Sequence, residues 1–346
     1  TLAWPLAPAA SAAHPPARTL SGHHGEIFGL AFDPANRLLA SGGGDQSIRV
    51  WDVQTGRVHI ILKGHTAPVR TLAFSPKGNF LASGASDKTT RVWDLQTGKE
   101  TVSFSSVFGN IRAVAFSPDG EILASTGDGG SLRLLDWKAN KELKAMKSGF
   151  GINHALAFSP SGSVLATGSS DTHVHIWDAF SGQRQTVFSG HEKAVLAVAF
   201  STDGTLLASG SADGTIRLWD VRTGRERGVL LGHTGEVNAV GFSANGSQVV
   251  SAGSDGTVRL WDSGTGRSLG ILSDQKVPVW ALALAHQGTF LASGGRDRNV
   301  HLQAAAIPRT TEAQSGNAPV IPRDADVGPP PVPPPLAEAD FSIQPH

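Results

Sequence analysis

Apolar and polar residues alternate along most of this chain in short runs, and the runs return in the same order. An alternating stretch such as VRTLAF (69–74) is followed by a small-residue segment, FLASGASD (80–87), then by TTRVWD (89–94) and the turn LQTGK (95–99). Alternation with a period of two predicts strands, and the Gly-, Asp- and Thr-rich stretches between the runs predict tight turns. The Phe that ends the first run falls at Phe32, Phe74, Phe116, Phe158, Phe200 and Phe242, with Leu284 next in phase, a spacing of 42 residues with no insertion or deletion. Trp-Asp pairs hold the same register at Trp51, Trp93, Trp177, Trp219 and Trp261, and Leu135-Asp136 fills the gap. Seven units of four short strands follow. A four-stranded twisted sheet cannot bury both faces alone, so the units are expected to pack face to face around a central channel.

Gly-His pairs precede four of the units, at Gly22-His23, Gly64-His65, Gly190-His191 and Gly232-His233. With a Gly-His start, a Trp-Asp end and seven copies in phase over residues 17–304, the chain resembles the WD-repeat family. The resemblance implies an all-β fold, a seven-bladed β-propeller with four antiparallel strands per blade. It also implies that the repeat is offset from the blade, so the last unit needs a fourth strand from elsewhere. Arg18-Thr19-Leu20 matches the outer strand before later Gly-His pairs, as in Val229-Leu230-Leu231, and is expected to close the ring. The segment just after Gln303 is the competing donor.

Thirteen His and many Asp and Ser invite a catalytic or metal-binding reading, but their repetition points to scaffold. In WD-repeat proteins the His of Gly-His, a Ser or Thr, a turn Asp and the Trp form one hydrogen-bonded chain inside a blade. The matching sets here are His23, Ser41, Asp45 and Trp51; His65, Ser83, Asp87 and Trp93; His191, Ser209, Asp213 and Trp219; and His233, Ser251, Asp255 and Trp261. Imidazole can donate to the carboxylate and accept from the hydroxyl, while a buried indole N–H needs an acceptor. Three units depart from the pattern. The third has Ser106-Val107, Gly129 and Leu135 in place of Gly-His, Asp and Trp; the fourth has Gly149 for His; the seventh has Gln275 for His and Gln303-Ala304 for Trp-Asp. His173, His175 and His301 lie on third strands with no carboxylate at ligand spacing, and are expected to be surface histidines.

Charge and composition narrow the function. Lys plus Arg and Asp plus Glu number 29 each, so no global positive field draws the chain to nucleic acid, and no such partner is expected. With no cysteine there is no disulfide, thiolate nucleophile or zinc knuckle. No run approaches the roughly 18 apolar residues of a membrane span; a cytoplasmic and an exported location both stay open. Residues 1–16 read as a disordered leader or a signal-peptide remnant. Residues 305–346 hold ten of the twenty prolines and are expected to be disordered or polyproline II, as a linker or as a ligand for a proline-recognising domain.

The short connections of a 42-residue unit leave no long loop in which to assemble a catalytic pocket, and no G-x-S-x-G elbow, P-loop or H-E-x-x-H motif is expected. No enzyme activity, cofactor or metal is expected. The resemblance places partner binding on the channel face where the first strand begins. By phase, the residues five after the repeat His are Phe28, Arg70, Arg112, His154, Leu196, Asn238 and Trp280, and Arg296 precedes a turn Asp. Phe28, Arg70, Arg112, His154, Trp280 and Arg296 form an arc expected to hold a protein or peptide with an acidic group and an apolar anchor, on a monomeric propeller. A structural subunit of a larger complex and a propeller enzyme are the alternatives.

Overall fold

The computed structural model describes residues 17–107, 109–147, 151–285 and 288–304; the expected leader and Pro-rich tail lie outside them, as does Gly149. Among the described residues, 28 strands form seven antiparallel sheets of four. The first blade runs outward from the channel through Ile27–Phe32, Leu38–Gly43, Ile48–Asp52 and Val58–Leu62. The inner strands pack against one another around the whole ring, the seventh (Val279–Leu284) against the first. Blade seven takes its outer strand from Arg18–Leu20, with Arg18 opposite Leu302 and Leu20 opposite Val300. The N-terminal strand, not the segment after Gln303, therefore closes the ring.

The apolar core is divided into seven slabs, each made by two neighbouring blades. Ile176 and Phe188 of blade four, for example, meet Val195, Leu207 and Trp219 of blade five. This is how a sheet too thin to stand alone buries both faces. Close approach depends on a small residue: a Cβ at Gly84 would lie 2.4 Å from Ile111 Cγ2 of the next blade. At the corresponding place blade three has Thr126, and the residue facing it changes from aliphatic to Asn153, whose amide donates to Thr126 Oγ1 at 2.9 Å. A steric contact has become a hydrogen bond.

Blades one, two, five and six each hold the same buried relay. In blade five the Trp219 indole donates to Ser209 Oγ at 2.8 Å, Ser209 Oγ lies 2.8 Å from His191 Nε2, and His191 Nδ1 lies 2.9 Å from Asp213. Trp51–Ser41–His23–Asp45, Trp93–Ser83–His65–Asp87 and Trp261–Ser251–His233–Asp255 repeat it with spacings of 2.7–2.9 Å. With the indole fixed as donor, the hydroxyl proton goes to Nε2 and the Nδ1 proton to the carboxylate, so every link is satisfied.

The departing blades are rebuilt, and one expectation needs correction. His175 is not a surface histidine: it is buried, and its Nε2 lies 2.8 Å from the turn carboxylate of Asp171. Half-buried His301 does the same with Asp297, at 2.6 Å. Both occupy the third-strand position that is Arg49, Arg91, Arg217 or Arg259 in the blades with a full relay. An imidazole there reaches the turn Asp from the far side, doing what the His in the loop before the first strand does elsewhere. In blade seven Gln275 supplies the other half, donating to Ser293 Oγ at 2.6 Å. Blade three replaces the relay with packing. Leu135 is fully buried, and Trp137, two residues on, fills a gap against Phe80 and Phe116 while its indole donates to the Gly120 carbonyl at 3.0 Å.

These relays make stability depend on acidity. Burial pushes His23, His65, His175, His191 and His233 below the usual 6.5 despite the neighbouring carboxylates. Burial pushes Asp213 and Asp255 upward, but donors from threonine, backbone N–H groups and the paired His outweigh it and hold both at about 2, below the usual 3.8. Below pH 6.5 the unfolded chain takes up histidine protons that the fold resists; below 3.8 it also takes up carboxyl protons. Both effects favour the unfolded state on acidification, at up to about 1.4 kcal/mol per pH unit for each group. Melting temperature measured from pH 8 to pH 3 is expected to be level above 6.5, to fall below it and to steepen below 3.8. A rise on acidification would contradict the assignment.

Candidate binding site at the channel mouth

Each inner strand carries one residue with no partner on the next strand. Ile27 pairs with Gly43 and Gly29 with Gly42, leaving Phe28 over; the same step isolates Arg70, Arg112, His154, Leu196, Asn238 and Trp280. A β-bulge bends its strand and re-aims the extra side chain. Seven bulges at the same place in seven strands thus direct seven half-buried side chains to one mouth of the channel. The next residue along each strand is small (Gly29, Thr71 or Ala), and the lining encloses about 250 Å³.

The mouth is uneven. Trp280 and Phe28 stack with ring centres 5.2 Å apart and planes 12° from parallel, and Arg70 Cζ lies 4.2 Å from the Phe28 ring centre. Blades seven, one and two so contribute indole, phenyl and guanidinium to one stack. Arg70 Nε also donates to Ser86 Oγ at 2.9 Å. In blade three Arg112 Nε forms an ion pair with Asp128 at 2.8 Å. The acid missing from that blade's relay, where Gly129 stands, is replaced one residue earlier by one that faces the mouth. Across the ring the Asn238 amide donates to Ser254 Oγ at 3.0 Å and to the Val279 carbonyl at 2.9 Å. Three bulge residues are therefore oriented by the residue before the turn Asp position.

Burial, then the charge of Arg112, pushes the Arg70 pKa down, opposed by Glu26 and Asp128. A guanidinium so placed stays protonated. Burial and Arg112 also push His154 below its usual value against the pull of Asp128, leaving it largely neutral at pH 7. Arg296 does not join the stack: it is exposed, and its backbone N–H donates to the Pro278 carbonyl. The mouth can therefore offer one cation backed by a neutral hydroxyl, a flat aromatic ledge beside it, and a second cation already shared with a carboxylate.

Among the described residues, no group of three His, Cys, Asp or Glu converges to hold a metal ion. The pattern Gly266-Arg267-Ser268-Leu269-Gly270 has the spacing of a nucleophile elbow, but Ser268 opens the exposed outer strand Ser268–Asp274, without the strand–turn–helix context such an elbow requires. No helix among the described residues is long and apolar enough to cross a membrane.

Two family models match this chain. One, described as the second β-propeller of echinoderm microtubule-associated protein, covers residues 69–228; the other, WD domain, G-beta repeat, covers 15–52, 224–262 and 266–302. Among curated proteins the chain is similar to pre-mRNA-splicing factor prp46 of Aspergillus fumigatus, 42% identical over 52 residues, which is 14% of this chain and 12% of that protein. It is 49% identical over 39 residues to eukaryotic translation initiation factor 3 subunit I of Scheffersomyces stipitis, 11% of each chain. Ribosome biogenesis protein ERB1 of Yarrowia lipolytica is 46% identical over 41 residues, 12% of this chain and 5% of that one. Each match is about one repeat long, far below two thirds of either protein.

Proposed function

We propose, since this chain belongs to the WD-repeat β-propeller family, that it is a non-enzymatic interaction platform whose channel mouth binds a protein or peptide partner. The observation that carries this reading is the Trp280–Phe28–Arg70 stack. Arg70 is held by an aromatic face and a hydroxyl rather than by a carboxylate, so an acidic group on a partner can complete its coordination. Trp280 and Phe28 supply the adjoining apolar area, and the small residues beneath leave room for an inserted side chain. Aromatic and arginine side chains of this kind carry a large share of binding energy at interfaces. Arg112 and His154 extend the arc, and the propeller acts as a single copy.

A pull-down comparing the parent chain with a Trp280→Ala, Arg70→Ala, Arg112→Ala variant tests the assignment. Truncation of a central anchor costs roughly 2 kcal/mol, so partner recovery is expected to fall at least tenfold while the melting temperature stays close to that of the parent. Unchanged recovery would sink the reading. A second reading, a fixed subunit of a larger assembly, is favoured by the likeness to a protein named as a subunit. Size-exclusion chromatography of native extract separates the two, because a fixed subunit elutes only with its assembly.

A further inference from the structure

We infer that the outer wall of blade one is a second docking surface, where the carboxylate of a protein segment binds Arg49 and a neighbouring aliphatic side chain covers Val58 and Ile61. In blades two, three and five an arginine on the third strand is neutralised by a glutamate on the outer strand: Arg91 pairs with Glu100, Arg133 with Glu142 and Arg217 with Glu226. Blade one keeps the arginine and lacks the acid. Val58 stands 42 residues before Glu100, and it faces Trp51 as Glu100 faces Trp93. Arg49 is held where its counterparts are: a Cβ at Gly22, Gly64 or Gly190 would lie within 3.3 Å of Nη1 of Arg49, Arg91 or Arg217. Its buried Nε has no acceptor, a gap that Arg217 shares, but Arg217 has its glutamate. Among the described residues nothing accepts a hydrogen bond from the Arg49 guanidinium.

The surroundings of Arg49 select the occupant. Ile61 lies directly opposite it on the outer strand, and Ile61 and Val58 are each 40% exposed. The outer strands of blades two and five, which keep their glutamates, expose no large apolar side chain. Loss of the acid and exposure of aliphatic groups thus go together, and blade six repeats the association. There Ser268 takes the glutamate position, and Leu269 and Ile271 are 50% and 53% exposed. Arg259 of that blade still donates through Nε to Thr257 Oγ1, so blade one has the larger unmet demand. A guanidinium takes a carboxylate through paired N–H donors, and apolar groups around such a contact keep water from it. The stretch from Arg57 to Lys63 contains no acid and has a cation at each end. That charge repels a second copy of the same wall and attracts an acidic segment. One guanidinium between aliphatic side chains suits a single carboxylate better than the continuous phosphates of a nucleic acid, which are held by many cations at once.

The test uses a fluorescein-labelled octapeptide of Glu alternating with Val, read by fluorescence anisotropy. The host is the full chain carrying Trp280→Ala, Arg70→Ala and Arg112→Ala, which removes the anchors proposed for the channel mouth. The probe is expected to bind this host, and Val58→Glu is expected to weaken it at least tenfold, because the added carboxylate occupies Arg49 as Glu100 occupies Arg91. The same substitution supplies an internal ion pair, so the variant should melt no lower than the host, and unfolding is removed as a cause of the loss. Val58→Gln, of similar size and uncharged, should weaken binding less, and Arg49→Gln as much as Val58→Glu. A probe with Gln in place of Glu should bind at least tenfold more weakly. Equal binding to the host and to its Val58→Glu variant overturns the proposal, as does a host that fails to bind the probe. An eight-nucleotide RNA that binds the host more tightly than the peptide overturns it too, as does sedimentation showing a dimer of the host that Val58→Glu abolishes. None of these results bears on the channel mouth, whose own reading stands or falls on the pull-down.

Discussion

Replacing Trp219 by alanine is expected to destabilise the propeller by about 4 kcal/mol, the upper part of the range for deleting a large buried side chain. The ring is 2% exposed, stacks on Phe188 with centres 5.5 Å apart and fills the slab between blades four and five. Its loss removes apolar burial, leaves a cavity and deprives Ser209 of the donor that fixes the direction of the relay. Trp219→Phe keeps most of the area and loses only the N–H, so it should cost about 1–2 kcal/mol. Because Trp219 and His191 act through the same hydroxyl, the double variant with His191→Ala should cost less than the two single losses added together. Urea titration monitored by circular dichroism measures all three. A loss under about 1 kcal/mol for Trp219→Ala would mean that the slab collapses around the gap far more easily than packed interiors do.

Removing the chain through Leu20 is expected to be about as costly, at roughly 4 kcal/mol. Leu20 is buried in the slab between blades seven and one, and three register pairs join Arg18–Leu20 to Val300–Leu302. Without them blade seven ends on the open edge of Val300–Ala304, and an unpaired edge recruits other chains. The shortened protein should therefore melt at least several degrees lower and scatter light increasingly with concentration. Arg18→Ala, which loses a donor to the Gln54 carbonyl at an exposed position, should cost under about 1 kcal/mol. If the shortened chain melted like the parent, closure by this strand would not be what holds blade seven.

The propeller was legible because each blade repeats one solution to one problem. The His–Ser–Asp–Trp relay works only if four residues keep fixed separations, so its members recur at 42 residues and expose the period. The rebuilt blades were harder to read. Gly149 and Gln275 looked like plain losses, yet His175 and His301 reach the turn Asp from the third strand, a substitution visible only when that strand and the loop before the first are seen to flank the same carboxylate. Trp137 was missed for a similar reason: it stands two residues out of phase, and packing against Phe80 of the blade before it decides its role. One signal was present in the sequence. The third-strand position holds Arg in every blade with a complete relay and His in blades four and seven.

The positions at the channel mouth could be counted from the repeat, but their geometry could not. Pairing register makes Phe28, Arg70 and Trp280 bulge residues, and register belongs to two strands at once. The stack of Trp280 on Phe28 needs the first and last blades to meet, which ring closure brings about. Local patterning thus suffices for strands, turns, blade number and relay members, because those depend on residues close in the chain or repeated in phase. Which side chains share a surface is set by packing: Phe28 and Trp280 meet only because the ring closes between blades far apart in the chain, and Arg112 meets Asp128 only because sheet register sets the first strand of blade three beside the turn that follows its second.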